Sequence, residues 1–187
     1  MAATSPHRLI RACRAVHHGG LIAYPTESVF GLGCDPYNAA AVARLLQVKR
    51  RPVAKGLIVL ASRFEQLEPL LAPLPAETEG TILASWPGPV TWVLPVHAKT
   101  PLLLTGGRNT LAVRVTAHPL AAALCDICGP LVSTSANRSA GRPARTALQA
   151  RLRLGTDVDV VVAGAVGDSP NPTEIRDGLS GEILRAG

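Results

Sequence analysis

The chain has 187 residues, of which 47% are hydrophobic and only 3% aromatic, so its core must be built mainly from aliphatic side chains. The longest apolar runs, such as 57–61 and 158–163, are much shorter than the roughly 20 residues needed to cross a bilayer, and no membrane span is predicted. A formal net charge of +6 favours polyanionic partners but does not choose among nucleotides, nucleic acid and anionic membrane surfaces.

The first predicted element is an amphipathic helix near the N-terminus. Ser5 and Pro6 form a typical helix start, and the apolar spacing continues until the glycines at 19–20 end it. A short buried strand follows at 21–24. Pro25 has no backbone donor and is expected to end the pairing of this strand.

From Asn38 onward the sequence continues to alternate between predicted helices and predicted strands. Asn38 is predicted to cap a helix that runs through Val48 and ends in the basic run 49–51. A strand follows at 56–61, and Ser62 is a candidate cap for another helix. Further strands are predicted at 90–95, 110–115, 131–134 and 158–163, and helices near 117–127 and 144–152. This mixture predicts one α/β or α+β domain over residues 1–187. The order of the strands in the sheet does not follow from the sequence.

Several common site motifs are absent from the sequence. There is no GxxxxGK[ST] phosphate loop or GxSxG elbow, and the glycines at 31–33 lack the third glycine of a dinucleotide fingerprint. The CxxC at 125–128 has no second pair, and the histidines at 17–18 have no accompanying ligands. We therefore predict no metal site, and interpret the cysteines as reduced, small buried residues in a cytoplasmic protein.

Two polar segments follow predicted strands, where α/β folds often bind ligands. Residues 25–28 (PTES) follow the first strand, and 133–137 (STSAN) follow a later one. Arg138, Arg142 and Arg145 come next, and could meet phosphate while hydroxyls and an amide hold a ribose or a small zwitterion. An ordinary turn and an ST-turn before a helix are the alternatives.

Taken together, these segments resemble the threonylcarbamoyl-AMP synthase (TsaC/YrdC) family over almost the whole chain. The matching blocks, in the family's order, are YPTES at 24–28, FGLGCD at 30–35, KRRP at 49–52, KGLIVLA at 55–61, WPGPVTWVL at 86–94, TLAVRV at 110–115, STSAN at 133–137 and NPTEIRD at 171–177. The resemblance implies a YrdC-like domain with a twisted, mostly mixed open sheet, flanking helices and a deep basic groove.

The resemblance also implies an activity. The family joins L-threonine, bicarbonate and ATP into threonylcarbamoyl-adenylate, with release of pyrophosphate and with Mg²⁺ accompanying the nucleotide. The product serves N6-threonylcarbamoylation of adenosine 37 in tRNA, through a TsaD-type enzyme and its TsaB- and TsaE-type partners. Direct binding of tRNA or structured RNA stays open.

Site residues are carried over by motif. Lys49 and Arg51 correspond to the KxR pair and are the expected catalytic residues. The expected L-threonine site consists of Thr26, Arg114, Ser135 and Thr173. The expected ATP site consists of Lys49, Thr110, Asn137, Arg145 and Arg185. Longer relatives carry a histidine beside the threonine site and an extra C-terminal domain, whereas this chain has Gly-Leu-Ile-Val-Leu at 56–60 and ends at Gly187.

Two other functions compete with this reading. A structured-RNA-binding protein could use the same basic groove, although two Phe, two Tyr and two Trp leave few rings for base stacking. Carbamoyl transfer, as in hydrogenase-maturation proteins that contain related domains, is less favoured because the accompanying modules are missing.

Overall fold

The computed structural model of the chain describes residues 5–138, 141–169 and 171–187. Within them the helices are α1 (Pro6–His17), α2 (Ala39–Lys49), α3 (Ala76–Ala84), α4 (Leu102–Thr105), α5 (Pro119–Cys128) and α6 (Ala147–Leu154). The strands are β1 (Ile22–Pro25), β2 (Phe30–Gly33), β3 (Ile58–Ala61), β4 (Val90–Pro95), β5 (Thr110–Val115), β6 (Leu131–Ser135), β7 (Val160–Val161), β8 (Glu174–Asp177) and β9 (Ile183–Arg185).

The described strands form one mixed sheet in the order β7-β1-β2-β6-β3-β5-β4-β8-β9. Strand β6 lies inside the sheet and is antiparallel to both neighbours, pairing through Thr134 and Ser135 with β2 and through 131–133 with β3. The parallel pairs are β1 with β7, β3 with β5, and β4 with β8. The expected mixed sheet with flanking helices is confirmed, and the single-domain organisation stays a prediction.

Two cores cover the sheet unequally. The larger core packs one face of the strands against apolar residues of α2, α3, α4 and α6. The smaller core packs α1 and α5 on strand residues of the other face, including Tyr24 on β1, Leu60 on β3 and Leu131 on β6. Because side chains alternate along a strand, strand residues next to members of the larger core face this second side, and those of β4 and β5 lie outside the described apolar core formed by α1 and α5.

Helix α2 carries Lys49, and its two ends are well defined. At the N-terminus the Asn38 side chain accepts a hydrogen bond from the Ala41 N–H (3.0 Å), as predicted. At the C-terminus Arg50 adopts a left-handed conformation with φ of 50°, and the Arg51 N–H bonds back to the Leu46 carbonyl (2.9 Å). This reversal directs the chain after Lys49 away from the helix axis.

We expect Asn38→Ala to lower the free energy of unfolding by about 1 kcal/mol, because it removes the side-chain acceptor at the start of α2. Denaturant unfolding followed by circular dichroism measures this change. Asn109→Ala is the control, since Asn109 is exposed and lies outside the helices and strands. Equal effects of the two substitutions would contradict the capping role.

Several sequence predictions differ from the structure. Strand β1 ends at Pro25, as predicted, but Pro25 itself is still paired, opposite Phe30 of β2, so the pairing ends one residue later than expected; proline lacks only the N–H, which an end position can spare. Ser62 does not cap an α-helix. Its N–H and hydroxyl both bond to Gln66 Oε1 (3.1 Å each), and two 3₁₀ turns follow because Pro69 cannot continue a helix.

Other predictions hold within a few residues. The strands at 90–95 and 110–115 are confirmed at both ends, whereas the strand predicted at 158–163 is only the two-residue β7. Ser5 occupies the cap position of α1, but its side chain makes no capping hydrogen bond. No helix in the described ranges is long and apolar enough to span a bilayer.

Candidate active site

Polar side chains lie on the face of the sheet opposite the larger core, on β4, β5 and β6 and at Thr173 just before β8. On β5, Leu111, Val113 and Val115 enter the larger core, so Thr110 and Arg114 face the opposite side. The smaller core, as far as the structure describes it, contains no residue of β4, β5 or β8. We call this face the groove; the polar side chains along it are Thr91, Thr110, Arg114, Ser133, Ser135 and Thr173, of which Thr91, Arg114, Ser133 and Thr173 are buried.

Lys49 lies beside the end of β6 and contacts the backbone there. Its side chain is buried, and Nζ donates to the carbonyl oxygens of Ser135 and Asn137, the latter at 2.8 Å. The Ser135 hydroxyl and the Asn137 side-chain oxygen lie at 3.3 and 3.2 Å. Burial, and after it the positive charge of Arg51, lower the pKa of Lys49 to about 8. The KxR pair of Lys49 and Arg51 and the SxN motif formed by Ser135 and Asn137 in STSAN therefore meet directly through Lys49.

Asn137 extends this contact to the loop that follows. Its side-chain amide donates to the carbonyls of Arg138 (2.9 Å) and Gly141 (2.7 Å). Further along, the Ala144 N–H bonds to the Ala136 carbonyl, and the Phe30 N–H bonds to the Ala144 carbonyl. The ammonium of Lys49 thus helps to set the conformation of the backbone on which the expected nucleotide residues lie.

Arg51 contacts a different segment. Its guanidinium donates to the carbonyls of Gly56 (2.9 and 3.0 Å) and Lys55 (3.3 Å), while Arg108 donates to the Ala54 carbonyl (2.7 Å). Burial, followed by repulsion from Arg108, lowers the pKa of Arg51. Arg51 therefore holds the turn before β3 and adds positive charge beside Lys49.

Arg114 forms a buried ion pair that the sequence did not indicate. Its Nη2 lies 3.2 Å from Glu27 Oε2, and the two side chains are only 7% and 12% exposed. Glu27 Oε1 accepts hydrogen bonds from the Thr116 hydroxyl (2.6 Å) and the Ala117 N–H (3.1 Å). Burial works to raise the pKa of Glu27, but Arg114 and these hydrogen bonds lower it overall, so Glu27 is a carboxylate at neutral pH.

Thr173 and Arg185 complete this end of the groove. The Thr173 hydroxyl lies 3.3 Å from the buried Thr91 hydroxyl, and Arg185 donates to the Thr173 carbonyl (2.6 Å). Burial lowers the pKa of Arg185, and repulsion from the positive charge of Arg114 lowers it further. Arg185 is therefore close to the expected threonine residues although the motif assigned it to ATP.

Thr26 lies in the turn between β1 and β2. Its hydroxyl donates to the Val29 carbonyl (2.7 Å) in the β1–β2 turn. A side chain on Gly31 would come within 3.3 Å of three atoms, on Thr26, Ser133 and Tyr24. Glycine at this position lets these three side chains approach one another across β2.

The remaining expected residues have weaker links to the groove. Thr110 begins β5 and is half-buried. Arg145 is exposed just before α6, and its backbone N–H bonds to Gln149 Oε1 (2.8 Å). Glu27 is the residue that the sequence interpretation missed; its signal was that it is the one acidic residue in the PTES segment.

The chain was compared with known proteins. The profile of the Sua5/YciO/YrdC family, described as "Telomere recombination", matches residues 14–187. The chain belongs to the Sua5/YciO/YrdC family. Curated relatives named threonylcarbamoyl-AMP synthase include one from Halorhodospira halophila, 57% identical over 97% of this chain and 96% of the relative, and one from Nitrosococcus oceani, 52% identical over 95% and 97%.

Solved structures of the family have the same fold. Sua5 of P. abyssi, as an H234A/Y235A variant, superposes with a TM-score of 0.90 at 32% identity over 95% of this chain. A second Sua5 structure, described as complexed with L-threonine, gives a TM-score of 0.85 at 33% identity over 90% of this chain. The chain spans 55% and 50% of those two Sua5 chains. The family resemblance and the fold class inferred from sequence are thus confirmed.

Proposed function

We propose that this chain is a threonylcarbamoyl-AMP synthase. It joins L-threonine, bicarbonate and ATP into threonylcarbamoyl-adenylate, releases pyrophosphate, and supplies tRNA N6-threonylcarbamoyladenosine synthesis. The observation that carries this proposal is the 57% identity, over 97% of the chain, to a curated protein of that name with which it also matches in length. Structured-RNA binding as the main role has no comparable support, since only the net charge favours it.

We assign two adjoining subsites to the groove. Lys49, Arg51, Asn137 and the more distant Thr110 and Arg145 would receive the nucleotide, with Arg185 at the boundary. Thr26, Arg114, Ser135 and Thr173 would receive L-threonine. The buried guanidinium of Arg114 suits a carboxylate, and the hydroxyls of Thr26 and Thr173 suit the polar end of a small amino acid.

The chemistry needs orientation and charge stabilisation. The threonine amine adds to the carbon of bicarbonate, a C–O bond breaks, and water leaves with the proton of the amine to give a carbamate. An oxygen of this carbamate then attacks the α-phosphorus of ATP in line with departing pyrophosphate. Holding the reactants in this geometry can contribute about 7–11 kcal/mol in ideal cases. The positive charges of Lys49 and Arg51 stabilise charge that develops on the phosphoryl oxygens, so no covalent enzyme intermediate is required.

Mg²⁺ enters this scheme as part of the nucleotide substrate. Among the described residues no group of three His, Cys, Asp or Glu side chains comes together to hold a metal ion. Mg²⁺ commonly keeps several water ligands and binds through substrate phosphates, which agrees with a groove that offers mainly cations and hydroxyls. We therefore assign the substrate as MgATP.

The product must reach a transfer enzyme before it hydrolyses. We propose a TsaD-type enzyme with TsaB- and TsaE-type partners as the recipient, in the cytoplasm, where tRNA, ATP and threonine occur together. Direct tRNA contact is the less favoured route, since few aromatic side chains are available for base stacking.

One assay tests the proposed activity. Purified protein is incubated with ATP, Mg²⁺ and bicarbonate, and pyrophosphate release is followed with and without L-threonine. We expect release that depends on both threonine and bicarbonate, together with threonylcarbamoyl-adenylate detected by mass spectrometry. Release that ignores threonine, or no release at all, contradicts the proposal.

The lowered pKa of Lys49 predicts a pH dependence. Above pH about 8 the amine becomes neutral, so kcat/KM for ATP, which reports the free enzyme, should fall with an inflection near that value and lose the inflection in Lys49→Ala. The effect of pH on the free energy of unfolding has the opposite sign to its effect on kcat/KM. Between pH about 8 and the ordinary 10.5 the unfolded chain binds a proton that the folded chain does not, so this group makes unfolding less favourable as pH rises. An inflection unchanged in Lys49→Ala would assign it to another group.

A further inference from the structure

Three buried polar atoms have no hydrogen-bond partner among the described residues, and all three lie near the expected threonine subsite. They are Tyr24 Oη, Glu27 Oε2 and Arg114 Nε. Buried polar groups in proteins are almost always hydrogen-bonded, so a local group of exceptions needs an explanation. Two of the three atoms belong to the same ion pair, which makes that pair the feature to explain.

Glu27 is the fixed member of the pair. Its Oε1 accepts two hydrogen bonds, from the Thr116 hydroxyl and the Ala117 N–H. Its backbone carbonyl accepts another from the Ser169 N–H (3.2 Å). The carboxylate therefore cannot turn away from β5, and its Oε2 is directed at Arg114.

Arg114 depends on Glu27 for its orientation. Within the described part of the chain, the 3.2 Å ion pair is the one polar contact of its side chain. The neighbouring Arg185 guanidinium repels it, as the effect of Arg114 on the pKa of Arg185 indicates. A buried cation beside a like charge needs a counter-ion, and Glu27 supplies it.

We propose that Glu27 is a positioning residue of the amino-acid subsite: its hydrogen-bonded carboxylate fixes the guanidinium of Arg114 in the orientation that meets the α-carboxylate of the substrate. This inference rests on the proposed function. Glu27 itself acts through Arg114 and takes no proton from the substrate, because Arg114 and its hydrogen bonds keep it ionised.

The substitution Glu27→Gln separates this role from a general structural one. Glutamine keeps the shape of the side chain and an acceptor for Thr116 and Ala117, but removes the charge that holds Arg114. We expect KM for L-threonine to rise about tenfold or more, equivalent to at least 1.4 kcal/mol of binding. Because the Lys49 contacts are unchanged, we expect kcat and KM for ATP to stay within about threefold.

Two further variants complete the experiment. Thr116→Val keeps the charge of Glu27 but removes one of its hydrogen bonds, and should raise KM for threonine by a smaller factor; it carries the test if Glu27→Gln does not fold. Asp126→Asn removes a carboxylate from the exposed ion pair with Arg63 and is the matched control, expected to change neither KM. L-threonine binding is also measured by calorimetry, and should weaken in Glu27→Gln by the same factor as KM rises.

The outcomes distinguish the two proposals. An unchanged threonine KM in folded Glu27→Gln, or a parallel rise in both KM values, overturns the positioning role while the synthase activity stands. If the wild-type protein binds threonine but shows no threonine-dependent pyrophosphate release, the proposed reaction is wrong and the calorimetric comparison still decides the role of Glu27. If the wild-type protein binds no threonine, both proposals fail.

Discussion

Lys49→Ala is expected to reduce threonine-dependent pyrophosphate release by about 100- to 1,000-fold, the range observed when one pre-placed charge-stabilising donor is removed from an enzyme. The reason is twofold. The substitution removes a buried positive charge beside the expected phosphate site, and it removes the Lys49 donor from the carbonyls of Ser135 and Asn137, of which that of Ser135 keeps the Asn137 N–H (2.9 Å). Thermal unfolding should show a loss of about 1–3 kcal/mol from the Asn137 carbonyl that loses this donor.

Lys99→Ala is the control for this variant, because Lys99 is exposed in the segment before α4 and its loss should affect neither rate nor stability. Lys49→Met adds a second comparison, since it fills most of the same space without charge. Full activity in folded Lys49→Met would refute the electrostatic role and leave Lys49 as a support for the SxN segment.

Arg114→Ala is expected to have a comparable effect on activity and a larger one on stability. It leaves the Glu27 carboxylate, only 12% exposed, without its counter-ion, and removing one partner of a buried pair typically costs about 3–5 kcal/mol. It also removes the guanidinium proposed to bind the threonine carboxylate. Denaturant unfolding and kcat/KM for L-threonine in the pyrophosphate assay measure the two effects separately.

The double variant Glu27→Gln with Arg114→Met decides whether the two effects have one origin. Removing both charges should recover most of the lost stability, because no unpaired ion stays buried, while activity stays low. If the double variant is as unstable as Arg114→Ala, the buried carboxylate is not the cause. If it recovers activity, Arg114 does not bind the substrate.

The elements with a clear local pattern could be predicted from the sequence. The Asn38 cap, the apolar stripe of α2 and the alternation along 90–95 and 110–115 each have one physical reading. The strand β2 was missed because its FGLG sequence contains two glycines, which are unfavourable in strands in general and necessary here, where Gly31 lets Thr26 and Ser133 approach each other. Helix α3 was missed because only Ile82 of it is fully buried, so it has no strong apolar stripe.

The site shows a similar division. The types of residue and the two polar strand exits were visible in the sequence, but the pairings between them depend on tertiary contacts. Nothing in the spacing shows that Lys49 binds the backbone of Ser135, 86 residues away, or that Arg114 pairs with Glu27. An arginine that looks available for a substrate carboxylate already has a carboxylate beside it in the folded chain.

The burial of Lys49 has a consequence for the kinetics of nucleotide capture. Arg145 is exposed, so its field extends into solvent and is screened by salt over about 10 Å at 0.1 M, whereas Lys49 is enclosed by protein oxygens and is screened much less. Exposed charges mainly raise the rate at which a ligand associates, and buried charges mainly lower the rate at which it dissociates. Added salt should therefore slow ATP association more than it speeds ATP dissociation.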